Sequence, residues 1–560
     1  MISSRASHAA AAAILGAMLA VSVLSARHLT ITYDEPYHYR YGLQLLSRRT
    51  AERFTDSTMP VSALNAVPRA AGDMLAPLIG GGAARRFLRD PKTGRYVTML
   101  CALLLGVFVY RWARELYGPA AGLFSLTLYA FEPNFIAHGQ LVTTDLYAAC
   151  SMTIALYYFW RLEKRPGRVS GAASAFTLGL AQLTKHAAII LYPVFLVILA
   201  VRHARGLFAL IAKRDFRGLA SRAAVVAGWA FFFAAVSVVV INAGFLFEGT
   251  GTPFGRHEFK SALSHAIQSR AGIFNRLPLP LPYPYLEGLD WSQHYEEMGG
   301  VSGNLYLFGR LHPRGVGFTG YYLFAFLYKV PLAVQACLWA ALAAYLCRRK
   351  RFDFPDDEAF LLVPAAAAFV WFGFFFKTQV GIRYFLFAVP PLIIFCGSLL
   401  KGWDEFGALH RTALACALVW LGASVLSWYP HFLPYFNELV PDRTRCYRIL
   451  ADSNIDWGQG GWYLRRYMKD HPGVIVNPER PSAGRVVVGV NLLTGVFLPE
   501  RYRWLRENFE PVGHVAHAYL VYDIAPGDLA RLAREGRIGA TTPPVSPGPR
   551  SPVPGDRPPR

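Results

Sequence analysis

The sequence predicts an α-helical polytopic membrane protein with about 11 transmembrane helices and a small extracytoplasmic α/β domain near its carboxyl terminus. Of its 560 residues, 54% are hydrophobic and only 17% are charged, whereas soluble domains carry about 25% charged residues. Apolar stretches of roughly 20 residues, the length that crosses a bilayer, recur along the chain. Basic residues gather in alternate short loops, which is typical of loops on the cytoplasmic side.

The apolar segments are separated by three large polar blocks, at about 27–95, at about 248–319 and after about 430. With a cytoplasmic amino terminus, the short basic loops lie inside and all three blocks lie outside. The first segment is alternatively a signal peptide with its cleavage region between Ser22 and Ala26, and residues after 27 again face outward. The eleven segments lie near 9–26, 96–112, 119–133, 142–160, 171–184, 187–201, 223–247, 320–346, 358–376, 384–400 and 412–429.

The pattern changes after the last apolar segment. Runs rich in β-branched residues at 485–490 and 514–524 predict strands, and 461–470 has helical character. We therefore expect a transmembrane domain over 1–430 and a soluble α/β domain over 431–540. The Pro-rich segment 541–560 is expected to be disordered.

Composition and motifs exclude several classes of protein. The net charge of +21 would suggest nucleic acid in a soluble protein, but cytoplasmic loops account for it here, so no nucleic-acid partner is expected. The sequence contains no Walker P-loop, no Rossmann glycine fingerprint and no His-Glu-x-x-His motif. Five of its seven cysteines lie in apolar stretches, which indicates packing and not disulfides or zinc.

Acidic residues gather at outer helix ends. Asp34 and Glu35 follow the first apolar segment, and Pro36 makes a helix N-cap the alternative interpretation. Asp145 begins the fourth segment, close to His138, and as an alternative it interacts only with the helix dipole. Together these groups predict either a hard-cation site or a hydrogen-bonded carboxylate cluster.

Cations lie at the same predicted membrane edge. Lys185 interrupts two apolar stretches, and Lys377 and Arg383 flank a short turn between two more. A charged residue in such a position indicates a functional site by default, and snorkelling to lipid headgroups is the alternative.

Carboxylates that face cations at one membrane edge suit the transfer of a sugar from a lipid phosphate. The leaving phosphate needs positive charge but no general acid, and one carboxylate suffices as general base for the acceptor. A single displacement with inversion is therefore expected. A multi-span transporter or flippase for a lipid-linked or anionic substrate is the alternative, although transport sites usually lie near the bilayer midplane between repeated halves. A membrane-anchored binding protein is a third interpretation.

Four places resemble the GT-C superfamily of polyprenyl-phosphate-dependent glycosyltransferases, in particular the protein O-mannosyltransferase and lipid A aminoarabinose transferase branch. They are Asp34-Glu35, residues 132–145, residues 179–185 and residues 377–391. A later stretch, residues 429–459, looks like a segment of many bacterial members and suits sugar or acceptor contact, with a tight turn as the alternative.

The resemblance implies a polyprenyl-phosphate sugar donor, an acceptor of unknown class and a multi-pass cell-membrane protein whose active site faces the extracytoplasmic side. It implies that Asp34 is the catalytic base or a positioning carboxylate, that Asp145 is the second acidic residue and that Lys185 contacts the donor phosphate. Lys377 and Arg383 lie where members place further phosphate-binding cations. Some relatives bind a divalent metal at the acidic cluster and others do not, so the cofactor stays open.

Overall fold

The computed structural model describes residues 4–47, 57–79, 82–300, 303–313, 315–348, 352–401 and 407–538. The described residues of its amino-terminal half form helices joined by loops, and a helix occupies most of every apolar segment predicted there. The helices are α1 (Ser4–Ala26), α2 (Glu35–Leu46), α3 (Ser62–Met74), α4 (Ala76–Ile79), α5 (Ala83–Arg89), α6 (Gly94–Tyr117), α7 (Pro119–Ala130), α8 (Pro133–His138), α9 (Asp145–Lys164), α10 (Arg168–Gln182), α11 (Leu191–Ala212) and α12 (Phe216–Gly244).

The following segment adds a small hairpin and the remaining apolar helices. They are α13 (Ala262–Arg270), α14 (Tyr283–Met298), β1 (Leu305–Leu307), β2 (Arg310–His312), α15 (Tyr321–Lys329), α16 (Leu332–Cys347), α17 (Ala359–Val370), α18 (Val389–Cys396) and α19 (Ala408–Leu426).

The fold class predicted from the sequence, a polytopic helical membrane protein with a small carboxyl-terminal sheet, is confirmed. Within the described ranges, six helical stretches are long and apolar enough to cross a membrane, or seven if α15 and α16, which meet at 111°, form one span. Large apolar side chains on α12 face outward, with Phe231 77% and Val239 63% exposed, as expected for a surface in contact with lipid. The figure of eleven spans stays a prediction.

The carboxyl-terminal sheet has four strands in the order β3-β4-β6-β5. The segment predicted as one strand over 514–524 is a hairpin, because Ala516 and His517 adopt positive φ and reverse the chain. The helix expected at 461–470 is present, and the segment 541–560 lies outside the described residues. The elements are α20 (Gly461–Asp470), β3 (Ile475–Val476), β4 (Gly484–Gly489), α21 (Val490–Leu493), α22 (Arg503–Asn508), β5 (Gly513–Val515), β6 (Tyr519–Ile524) and α23 (Pro526–Arg534).

The carboxyl-terminal region packs on the end of the bundle where α1 ends and α2 and α9 begin. Residues 457–459 hydrogen-bond with the chain that leaves α1: Thr30 N donates to Gln459 O at 3.0 Å, and Tyr33 N donates to Trp457 O at 3.0 Å. One apolar core continues from the helices into the sheet. The division at residue 430 stays a prediction, and these contacts place the later region directly over the first outer segment.

Close packing of α2 on α3 positions the start of α2. A Cβ atom on Gly42 would overlap the carbonyl oxygen of Ser62, and Gly42 is buried. The absence of a side chain at Gly42 therefore sets how closely the two helices approach.

We expect Gly42→Ala to lower the free energy of unfolding by about 1–3 kcal/mol, because the backbone of α3 must move to admit the methyl group. Thermal unfolding of the purified protein in detergent measures the effect. Gly16→Ala in α1 is the matched control, since a Cβ there meets no atom within 4 Å. An equal loss of stability in both variants would contradict this account.

Candidate active site

Two carboxylates and two cations from four distant segments form one ion-pair cluster. Arg383 Nη1 lies 2.9 Å from Asp34 Oδ2 and 3.7 Å from Asp145 Oδ2. Lys185 Nζ lies 2.5 Å from Asp145 Oδ1. The side chains of Asp145 and Lys185 are only 3% and 10% exposed, and those of Arg383 and Asp34 are 12% and 22% exposed. The structure thus brings together four of the seven residues singled out in the sequence.

All four residues occupy helix ends or breaks. Asp34 precedes α2, Asp145 is the first residue of α9, and Lys185 follows α10. Arg383 is the second residue of a tight helical turn, Ile382–Ala388, which follows Gly381. A Cβ atom on Gly381 would overlap the Ser453 side chain. Neither Asp34 nor Asp145 uses its carboxylate to cap its own helix, so both carboxylates are available to the cations.

Aromatic rings enclose the two cations. Lys185 Nζ lies 3.7 Å from the ring centroid of Tyr384, and the guanidinium carbon of Arg383 lies 4.1 Å from that of Trp457. Such rings attract cations while excluding water. The charges therefore act on one another at lower effective dielectric than at an open surface.

Glu35 lies next to Asp34 but faces a different partner. Its carboxylate accepts from Arg95 Nε at 2.8 Å and Nη2 at 2.7 Å, from Thr32 N at 2.7 Å and from Val142 N at 3.1 Å. Burial opposes ionisation, yet Arg95 and the two backbone amides outweigh it and hold the pKa of Glu35 below its usual value. Glu35 thus ties the turn before α2 to α6 and to the segment before α9.

His138 and Lys377 contribute differently from the four clustered residues. His138 is buried, its ring centroid lies 6.0 Å from that of Trp457, and burial lowers its pKa to about 3, so it is neutral at pH 7. Lys377 is exposed, and its backbone N–H donates to Glu296. Within the described part of the chain, the Lys377 side chain forms no ion pair with the cluster.

The segment Asp452–Gln459 packs against the site, and whether it contacts sugar or acceptor stays a prediction. Asn454 Oδ1 accepts from Ile382 N at 3.0 Å, and Ser453 Oγ donates to Val380 O, so this segment holds the turn that carries Arg383. The bond from Tyr33 N to Trp457 O holds the chain next to Asp34. Both loops of the ion-pair cluster therefore depend on one later segment.

Asp452 is a partly exposed carboxylate in a rare backbone conformation, with φ of 59°. Its amide N–H donates to Asn491 Oδ1 at 2.8 Å. Burial raises its pKa to about 6; Arg383 acts in the opposite direction, and Asp34 and Asp456 add to the rise. Strained backbone and a raised carboxyl pKa at a cluster of charges indicate a functional residue.

Two further polar residues near the site did not emerge from the sequence. His38 lies one turn into α2, and burial lowers its pKa although the nearby carboxylates of Asp34 and Asp145 act in the opposite direction. Lys329, which is fully buried, donates to Leu433 O and Asn454 O at 2.7 Å each. A lysine near the end of an apolar run, two residues before Pro331, is the sequence feature that could have identified Lys329.

The described residues contain no group of three His, Cys, Asp or Glu side chains arranged to hold a metal ion. The two aspartates of the cluster each face a cation at ion-pair distance. The side chains present therefore suit a hydrogen-bonded carboxylate–cation cluster better than a divalent cation.

A family model matches part of the chain. Residues 90–242 match the model described as dolichyl-phosphate-mannose-protein mannosyltransferase. The resemblance noted in the sequence is thereby confirmed for this segment, about a quarter of the chain, which includes Asp145 and Lys185 but neither Asp34 nor Arg383. No curated protein sequence matches the chain.

Solved structures with a related arrangement share little sequence with the chain. ArnT from Cupriavidus metallidurans bound to undecaprenyl phosphate is 16% identical with a TM-score of 0.45, over 74% of this chain and 64% of that chain. The Archaeoglobus fulgidus oligosaccharyltransferase is 17% identical with a TM-score of 0.40, over 74% and 52%. The same ArnT in the apo state is 14% identical with a TM-score of 0.31, over 91% and 97%. The chain thus spans less than two thirds of the length of the first two of these proteins.

We expect Arg95→Met to lower the free energy of unfolding by about 3–5 kcal/mol, because it leaves the buried Glu35 carboxylate without its counter-charge. Thermal unfolding in detergent measures the loss. Arg89→Ala breaks an exposed ion pair with Asp73 in the same polar block. It should change the free energy of unfolding by at most about 1 kcal/mol. A double variant, Glu35→Gln with Arg95→Met, should regain part of the loss, and no recovery would contradict this assignment.

Asp452→Asn should stabilise the protein by about 1–2 kcal/mol at pH 7. The raised pKa means that the ionised carboxylate destabilises the folded state, and the amide removes this cost. Partial exposure of Asp452 keeps the expected gain small. The folded protein binds the proton more tightly, so the gain should shrink as pH falls through about 6 towards 4. Thermal unfolding at pH 5 and pH 7 tests this, with the exposed Asp470→Asn as control. A pH-independent gain would contradict the raised pKa.

Proposed function

From the mannosyltransferase family match over residues 90–242, we propose that the chain is a membrane glycosyltransferase. It moves a sugar from a polyprenyl-phosphate donor to an acceptor on the extracytoplasmic side, by a single inverting displacement. The observation that carries this proposal is the ion-pair cluster of Asp34, Asp145, Lys185 and Arg383 at one end of the helices. It supplies the cations that a departing phosphate requires and a carboxylate that can accept the acceptor's proton.

Lys185 and Arg383 bind the donor phosphate in this proposal. Both are paired with carboxylates in the structure, and a phosphate that approaches them competes for the same N–H donors. Arg383 then exchanges its bond to Asp34 for a bond to phosphate, which frees Asp34. Asp145, the more deeply buried carboxylate, stays with Lys185 and keeps both cations in place.

Asp34 is the proposed base. The acceptor oxygen or nitrogen attacks the anomeric carbon of the donor, the bond from that carbon to the phosphate oxygen breaks, and the electron pair leaves with the phosphate. The acceptor's proton passes to the Asp34 carboxylate. Positive charge on Lys185 and Arg383 stabilises the phosphate as its negative charge grows.

The remaining candidates act through these groups. Glu35 is a positioning residue, since every contact named above holds the turn next to Asp34. His138, neutral and buried beside Trp457, completes the wall of the site. Lys377 lies apart from the cluster and is exposed, so we assign it at most to the entry path of the donor phosphate.

A transporter is the weaker alternative. It requires charged groups near the middle of the membrane, commonly at broken helices of repeated halves. The cluster instead lies where α2 and α9 begin and where α10 ends. This position at helix ends favours chemistry at a membrane edge over passage through the membrane.

Asp34→Asn should lower kcat by about 10²- to 10⁴-fold, because the amide keeps the shape but cannot take the proton. Donor KM should fall, because the neutral amide no longer competes with the donor phosphate for Arg383. The assay uses purified protein with a panel of polyprenyl-phosphate sugars and membrane extract as acceptor, and mass spectrometry counts the lipid phosphate released. Asp73→Asn, an exposed carboxylate of the same outer block, is the matched control and should retain full activity.

Two outcomes would count against the proposal. Wild-type turnover in Asp34→Asn would remove the base. A wild-type protein that releases no lipid phosphate from any donor, yet moves a lipid-linked sugar across vesicle membranes, would favour the transporter.

A further inference from the structure

An open cleft of about 580 Å³ lies at the opposite end of the bundle from the ion-pair cluster. It is formed where α6 and α9 end and where the chain approaches α17. Asp145 and Arg161 are 16 positions apart on α9, so the cleft lies about 24 Å from the cluster along the helix axis. Six charged residues line it: Arg111, Glu115, Arg161, Lys164, Arg165 and Asp357.

Both carboxylates of the cleft already have partners. Glu115 accepts from Arg111 Nε at 3.0 Å and from the Tyr157 hydroxyl at 2.8 Å. Asp357 pairs with Lys164 Nζ at 2.8 Å and accepts from the indole N–H of Trp160 at 3.0 Å. In each ion pair the two charges balance, and the two pairs hold the walls of the cleft in place.

Two arginines are left unbalanced. In the described ranges of the chain, neither Arg161 nor Arg165 forms an ion pair with a carboxylate. Arg161 donates to the Tyr157 hydroxyl at 3.1 Å, and its guanidinium carbon lies 5.8 Å from the Tyr157 ring centroid. This neutral contact orients Arg161 without neutralising it, so the cleft is lined by one oriented guanidinium and by a second, exposed arginine, Arg165.

We propose that this cleft binds the phosphate of an anionic phospholipid. Guanidinium groups bind phosphate oxygens through paired N–H donors, and basic pockets between membrane helices recognise acidic headgroups. Leu116, which is half-buried, and Trp160, which is 6% exposed, also line the cleft and give it a small apolar wall. A phospholipid has a charged head for the arginines and an apolar tail for Leu116 and Trp160, whereas free phosphate can contact only the arginines. This site is independent of the proposed glycosyl transfer.

The test compares lipids and free phosphate on the delipidated full-length protein in detergent. Phosphatidylglycerol should raise the Tm by about 2–4 °C more than phosphatidylcholine does, because a ligand that binds only the folded state stabilises it. Inorganic phosphate at the same concentration should produce no such rise. Native mass spectrometry should show phosphatidylglycerol retained on the wild-type protein.

The variant Arg161→Gln with Arg165→Gln should lose most of the phosphatidylglycerol-specific rise. The control, Lys213→Gln with Arg217→Gln, removes two exposed charges where α11 ends and α12 begins, and it should keep the phosphatidylglycerol-specific rise. Arg161→Lys with Arg165→Lys retains charge without the planar donor pair and should keep only part of it. The proposal is overturned if the Gln variant keeps the full rise, if phosphatidylcholine matches phosphatidylglycerol, or if inorganic phosphate alone reproduces the effect.

Discussion

Asp145 is the residue on which the arrangement of the ion-pair cluster depends. Its side chain is 3% exposed, and a buried carboxylate without a partner is strongly unfavourable. Lys185 and Arg383 both reach it, from the end of α10 and from the turn after Gly381. Lys185 is the closer partner of Asp145, at 2.5 Å, so neutralisation of Asp145 holds the start of α9 against the end of α10. Arg383 lies 3.7 Å from Asp145 and 2.9 Å from Asp34, so the 381–384 turn joins both aspartates in one cluster.

The ion-pair cluster as a whole is neutral, although its two cations remain charged. Asp34 and Asp145 together balance Lys185 and Arg383, so the four groups carry no net charge before any substrate arrives. A phosphate that displaces Asp34 from Arg383 exchanges one anion for another in the same place. The positive charge thus needs no rearrangement of the fold to meet a donor, and the carboxylate released lies beside the position where a proton must be accepted.

Length and hydropathy predicted the helices, and charges at helix breaks predicted Asp34, Asp145, Lys185 and Arg383. The direction in which each side chain points was harder to predict than the helices. Glu35 follows Asp34 directly, but successive residues of a helix point about 100° apart, so its carboxylate reaches Arg95 instead of Arg383. Lys377 is six residues before Arg383, and the intervening turn separates them. The position of Asp452 over the cluster depends on long-range packing that no local pattern encodes.

The carboxylates at this edge fall into two kinds, and the difference indicates which of them do chemistry. Glu35 has every contact a structural carboxylate needs, and its lowered pKa shows that the fold favours its charge. Asp452 is partly exposed, has positive φ and a raised pKa, so the fold bears a penalty to keep it there. Strained backbone of this kind is concentrated at functional sites, although Asp452 also accepts from Ser453 N at 2.6 Å and so helps to hold the turn. Asp452 interacts electrostatically with Arg383 and Asp34, which places a carboxyl group of raised pKa beside the residues proposed to bind the donor phosphate and to accept the acceptor's proton.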